Sequence, residues 1–62
     1  MPMTSKQMVK LLRKNGFYKK GQNGSHAKYY NPKTNKTTMV PMHAKDLGKG
    51  IKSEILKQAG LK

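Results

Sequence analysis

This 62-residue chain has two histidines, His26 and His43, the residue type used most often for acid–base chemistry. His26 follows Gly24 and Ser25 and stands two residues before Lys28. A glycine there lets backbone N–H groups approach a phosphate closely, and a hydroxyl or an ammonium can stabilise charge on it. RNA offers such a set a specific task, because its 2′-hydroxyl is a nucleophile built in beside every phosphodiester. Cleavage needs that hydroxyl deprotonated, the phosphorane's charge stabilised, and the 5′-oxygen helped to leave. In this assignment His26 is the base, Lys28 neutralises phosphate charge, and Ser25 hydrogen-bonds a phosphoryl oxygen. His43 reads two ways, as the general acid of the same step or as a strand-terminal histidine at the edge of the core. Tyr30 also reads two ways, stacked on a base or packed within the sheet.

The composition suits a polyanionic partner. Fourteen Lys and Arg stand against two acids, Asp46 and Glu54, for a net charge of +12, more than solubility requires. There is no cysteine, so no disulfide framework, and two histidines cannot make a four-ligand structural zinc site. A carboxylate-cage metal nuclease needs several acids around its ion, so no metal and no cofactor is expected. Apolar runs are too short for a membrane span or a signal-peptide core, which makes the cytoplasm the expected compartment. Only 34% of residues are hydrophobic, enough for one domain over 1–62 with a small core. Against an ordering entropy of roughly 1.5 kcal/mol per residue, such a core is marginal, and a stabilising partner is expected.

The elements that must position these residues follow from spacing. Thr4 and Gln7 have capping-box spacing ahead of a helix with Met8, Leu11 and Leu12 on one face. Lys6, Lys10, Arg13 and Lys14 form the opposite stripe, either a solvated face or one that grips phosphates, and Asn15-Gly16 ends the helix. Phe17 to Lys20 reads as a first strand, Gly21 to Gly24 as a turn, and Ser25 to Asn31 as a second strand. A turn over Asn31 to Asn35 leads to a third strand from Lys36 to about His43, then a loop over Ala44 to Gly50. A last helix from about Ile51 to Ala59 carries Ile51, Ile55, Leu56 and Ala59 on one stripe, with a Schellman-type end at Gly60-Leu61. The order α-β-β-β-α predicts an α+β domain: a three-stranded antiparallel sheet with two helices on one face and the other face wet. Alternation turns Ala27, Tyr29, Val40 and Met42 inward and His26, Lys28 and Tyr30 outward, with Pro41 outward on an edge strand. The same parity carried past Pro41 puts His43 on the side of His26.

Taken together, this order of elements, Gly24-Ser25-His26, Val40-Pro41-Met42-His43 and the run Ile55-Leu56-Lys57-Gln58-Ala59-Gly60-Leu61 resemble the HicA toxin family of bacterial and phage toxin–antitoxin modules. The resemblance covers nearly the whole chain. It implies a double-stranded-RNA-binding-domain-like fold, translation-independent mRNA cleavage, and inhibition by a HicB antitoxin that covers the active histidine in a hetero-oligomer. The family's catalytic histidine falls on His26, and the histidine after Val-Pro-Met on His43. One position departs: relatives often have a hydroxyl residue after the glycine that opens the last helix, and here it is Ile51.

The expected activity is therefore that of a small ribonuclease toxin with His26 essential. Lys6, Lys10, Arg13, Lys14, Gly24 and Tyr30 are the candidate RNA contacts, and Ser25, Lys28 and His43 the candidate catalytic support. The alternative is a non-catalytic RNA-binding module of the same fold, which would bind with a steep salt dependence and never cleave. A cationic membrane-active peptide is disfavoured, because Gly and Pro interrupt the chain and its charge is spread over strands and loops.

Overall fold

A computed structural model of the chain describes residues 3–61; Met1, Pro2 and Lys62 of the expected 1–62 domain lie outside the described residues. Helix α1 (Ser5–Lys14) is followed by strands β1 (Tyr18–Asn23), β2 (His26–Asn31) and β3 (Lys36–Pro41) and by helix α2 (Gly48–Gln58). The strands form one antiparallel sheet in the order β1-β2-β3, so the α-β-β-β-α expectation holds.

Local chemistry starts and stops α1. The Gln7 backbone N–H donates to Thr4 Oγ1 at 3.1 Å, and the Thr4 N–H donates to Gln7 Oε1 at 3.0 Å, which is the capping box. Met8 and Leu12 are buried, while Lys6, Lys10, Arg13 and Lys14 are exposed. At the other end the Phe17 N–H reaches Leu12 O at 3.0 Å and the Gly16 N–H reaches Arg13 O at 3.1 Å, with Gly16 at φ +93°. This is a Schellman motif, and it corrects the expected start of β1. Phe17 is the buried residue that closes the helix, and the strand begins at Tyr18.

β1 also runs further than its sequence suggests. Gly21, Gln22 and Asn23, expected in a turn, pair with Lys28, Ala27 and His26. A register shift between Lys19 and Gly21 marks a bulge that lets the strand continue past Lys20. The turn shrinks to Gly24-Ser25, with Gly24 at φ +62°, as a two-residue hairpin turn with a glycine at its first position allows.

Ala27, Tyr29, Thr38 and Val40 face inward and are buried with Met8, Leu12, Ile55 and Ala59, so both helices cover one face of the sheet. Met42 packs at the margin of that core, and Pro41 sits on the edge strand β3, as parity predicted. Two polar side chains stitch the layers together. Asn31 Nδ2 donates to Asn15 O at 3.0 Å, which joins β2 to the end of α1. Ser5 Oγ donates to Pro41 O and accepts the Ala44 N–H at 2.9 Å, which fixes the start of α1 against the end of β3.

α2 starts three residues ahead of the expected Ile51. Leu47 is buried and its N–H donates to Met3 O at 2.9 Å, while Asp46 Oδ1 accepts the Gly48 N–H at 2.9 Å. With Leu47 filling the core at the head of the helix, Ile51 is 51% exposed and is no part of the buried stripe. Ile55 and Ala59 are buried as expected and Leu56 partly so. The helix ends in a second Schellman motif, with Leu61 N–H to Leu56 O at 2.9 Å and Gly60 N–H to Lys57 O at 3.1 Å.

Candidate active-site groove and basic face

His26 is the first residue of β2 and pairs with Asn23 on one side and Pro41 on the other, so it sits at an end of the sheet. Alternation turns it to the outer face with Lys28 and Tyr30, and both His26 and Lys28 are exposed. The hairpin that presents it is braced from β1: Lys19 Nζ donates to Gln22 Oε1 at 2.6 Å, and Gln22 Nε2 donates to Gly24 O at 3.0 Å. Across the sheet end, the Met42 N–H donates to Ser25 O at 2.6 Å. Ser25 and Gly24 therefore hold the turn through their backbones and leave both residues exposed to solvent.

A groove of about 400 Å³ opens beside His26, walled by Met39 and Pro41 of β3 and by Gly50, Ile51, Glu54, Ile55 and Gln58 of α2. Sequence reasoning misses Ile51, Met39, Glu54 and Gln58 as site residues. Ile51 is hidden because its four-residue spacing to Ile55 is also core spacing. Glu54 leaves one usable signal, since it is one of two acids in a chain of fourteen cations.

His43 is elsewhere. β3 stops at Pro41 and His43 has φ +66°, so strand alternation no longer governs where it points. The expected parity, with His43 on the side of His26, is corrected: His43 lines a hollow with Thr4, Ser5, Lys6, Val9, Tyr29 and Lys45, on the α1 side. Lys6 and Val9 also line the adjoining hollow with Lys10 and Arg13, which makes His43 and Lys45 continuous with the basic stripe of α1. Lys14 is exposed one residue beyond that hollow.

Tyr30 is half-buried and already engaged. Its hydroxyl donates to Asn35 Oδ1 at 2.8 Å, its ring meets Tyr18 edge-on at 5.9 Å, and Lys20 Nζ lies 4.7 Å from the ring centroid. The packed reading of this tyrosine accounts for these contacts, and Tyr18, 47% exposed, is the more open of the two rings.

Among the described residues no three His, Cys, Asp or Glu side chains come together in a way that could hold a metal ion. No described helix is long and apolar enough to cross a membrane. The arrangement thus offers an imidazole at the rim of a half-apolar groove, an ammonium on the same sheet face, and a separate cationic band along α1. The family model for the "HicA toxin of bacterial toxin-antitoxin" matches residues 5–61. No curated protein matches the chain.

Proposed function

The chain belongs to the HicA toxin family, and on that premise we propose that it is the ribonuclease of a toxin–antitoxin pair, a metal-independent mRNA interferase with His26 as its catalytic residue. The observation that carries this reading is the position of His26, exposed at the open end of the sheet, beside a groove and on the same face as Lys28. In the reaction His26 takes the proton of a 2′-hydroxyl, and the 2′-oxygen forms a bond to phosphorus. The bond from phosphorus to the 5′-oxygen breaks, and the leaving oxygen takes a proton from water. The products are a 2′,3′-cyclic phosphate and a 5′-hydroxyl. Lys28 and Ser25 support the charge on the phosphoryl oxygens. His43 is left out of this step because it lines the hollow on the α1 side, and it joins Lys6, Lys10, Arg13 and Lys14 as a phosphate-gripping group.

The partner expected of such a toxin is a HicB-like antitoxin with an acidic surface that covers His26. By binding only the folded state it would also stabilise a domain with so small a core. His26→Ala tests the activity directly. Loss of mRNA cleavage with an unchanged circular dichroism spectrum is the expected result, and cleavage at the parent rate would sink the assignment. Parent activity should survive EDTA, and its products should carry cyclic or 3′-phosphate ends.

A further inference from the structure

The groove beside His26 has a composition that phosphate binding does not explain. Two of its walls are apolar side chains left in solvent, Met39 at 41% and Ile51 at 51% exposure, and Pro41 stands directly across from His26. Large exposed apolar side chains around a groove mark a surface that receives an apolar face of a ligand or partner, and the faces of RNA bases are of that kind. The polar groups in the same groove are Glu54 and Gln58, and they are held in order. Buried Thr38 donates through Oγ1 to Gln58 Oε1 at 3.0 Å, and Gln58 Nε2 donates to Glu54 Oε1 at 3.4 Å. The Gln58 amide is thus oriented by one bond at each end, and the acceptor it holds in the groove is the Glu54 carboxylate, which accepts hydrogen bonds and donates none when ionised.

A carboxylate in the path of RNA repels phosphates, so it suits binding only where donors face it. Among the RNA bases, guanine alone sets two N–H donors side by side on its Watson–Crick edge, at N1 and N2. Adenine, cytosine and uracil each present an acceptor within the same pair of positions, which a carboxylate rejects. We propose that this groove is a guanine-reading site, with the base held against Met39, Pro41 and Ile51 and its N1–H and N2–H donating to Glu54. The base read is the one on the ribose whose 2′-hydroxyl His26 deprotonates, since groove and imidazole share a wall. The inference rests on the ribonuclease reading above and adds to it the nucleotide at which the chain is cut.

The test uses four RNA substrates that differ only in the nucleotide 5′ of the scissile bond, cut by the parent protein and by Glu54→Gln. The parent should cut after guanosine at least about tenfold faster than after the other nucleotides, the discrimination that one two-bond base contact supplies. In Glu54→Gln this preference should largely vanish while cutting after the other nucleotides is retained. An unchanged preference in the variant, or no guanine preference in the parent, overturns the proposal. Equal loss on all four substrates also overturns it and makes Glu54 part of the proton transfer instead. A second measurement separates this from failure of the ribonuclease reading: titration of His26→Ala with 3′-GMP, 3′-AMP, 3′-CMP and 3′-UMP, followed by the methyl resonances of Met39 and Ile51. Selective shifts with 3′-GMP support the base site even in a protein that cuts nothing. Equal or absent shifts with all four count against it even in one that does.

Discussion

The two helices lie on the same face of one sheet and end in the same Schellman motif, yet they begin in different ways and border different surfaces. α1 opens with a capping box supplied by its own side chains, Thr4 and Gln7. α2 has no side-chain bond at its N-cap position, Leu47; Asp46 accepts the Gly48 N–H beside it, and the burial of Leu47 and its bond to Met3 dock the helix start. α1 turns a dense row of cations outward and shares a hollow with His43. α2 supplies Ile51, Glu54 and Gln58 to the groove of His26. A helix specified by local chemistry thus carries charge, which needs exposure and no exact partner. The helix placed by tertiary contacts walls the groove, where neighbours on different elements must meet.

The widest gap lies between the two histidines. His26→Ala should slow cleavage by about 10²–10⁴-fold, the usual contribution of a positioned acid or base. His43→Ala should leave the rate at saturating RNA intact and raise KM. Equal rate losses in single-turnover cleavage would mean that the hollow of His43 and the groove of His26 serve one step, and the contrast between the helices would fail.

The next contrast is one of stability. Leu12→Ala removes a fully buried side chain beneath α1 and should cost about 2–5 kcal/mol, enough to threaten the whole fold of so small a domain. Ile51→Ala, on the groove wall of α2, should change stability by less than about 0.5 kcal/mol. Urea unfolding of both variants measures the difference. A large loss for Ile51→Ala would return that residue to the core.

Replacing Lys6, Lys10 and Arg13 together by Ala should flatten the plot of log affinity against log salt by about 2 to 3 units of slope, one for each phosphate no longer neutralised. Binding titrations with the His26→Ala protein as background read this without cleavage. An unaltered slope would make the α1 stripe a merely solvated face.

The finest contrast separates two glycines at the head of α2. Gly48 has φ +74°, so Gly48→Ala should destabilise by about 1–2 kcal/mol through the left-handed backbone. Gly50 has ordinary helical φ and open space where a Cβ would stand, so Gly50→Ala should stabilise by about 0.4–1 kcal/mol. Thermal melts should therefore move in opposite directions. Shifts of the same sign would place the start of α2 elsewhere.

Much of the fold is legible in the sequence because its signals are local. The capping box, the Gly16 and Gly60 helix ends, the Asn31–Asn35 turn and the alternation along β2 each depend on residues within a few positions of one another. The corrected positions share a cause, a residue pattern that two structures can use. Phe17 reads as part of β1 because an aromatic suits a strand as well as a helix closure. The Gly21–Asn23 stretch reads as a turn because a bulge and a turn use the same residues. His43 takes a strand's parity only if β3 continues, and the strand ends two residues before it.

Periodicity and composition carry directly the element order, the inward and outward faces of β2, the cationic face of α1 and the exposure of His26. Tertiary packing alone brings Ile51, Glu54 and Gln58 to Met39 and Pro41 around His26, and sends His43 to α1 instead. A groove between two elements depends on where α2 begins. Asp46 holds the Gly48 N–H locally, but the head of the helix is docked by the burial of Leu47 and its bond to Met3, a contact between residues far apart along the chain that no local pattern encodes.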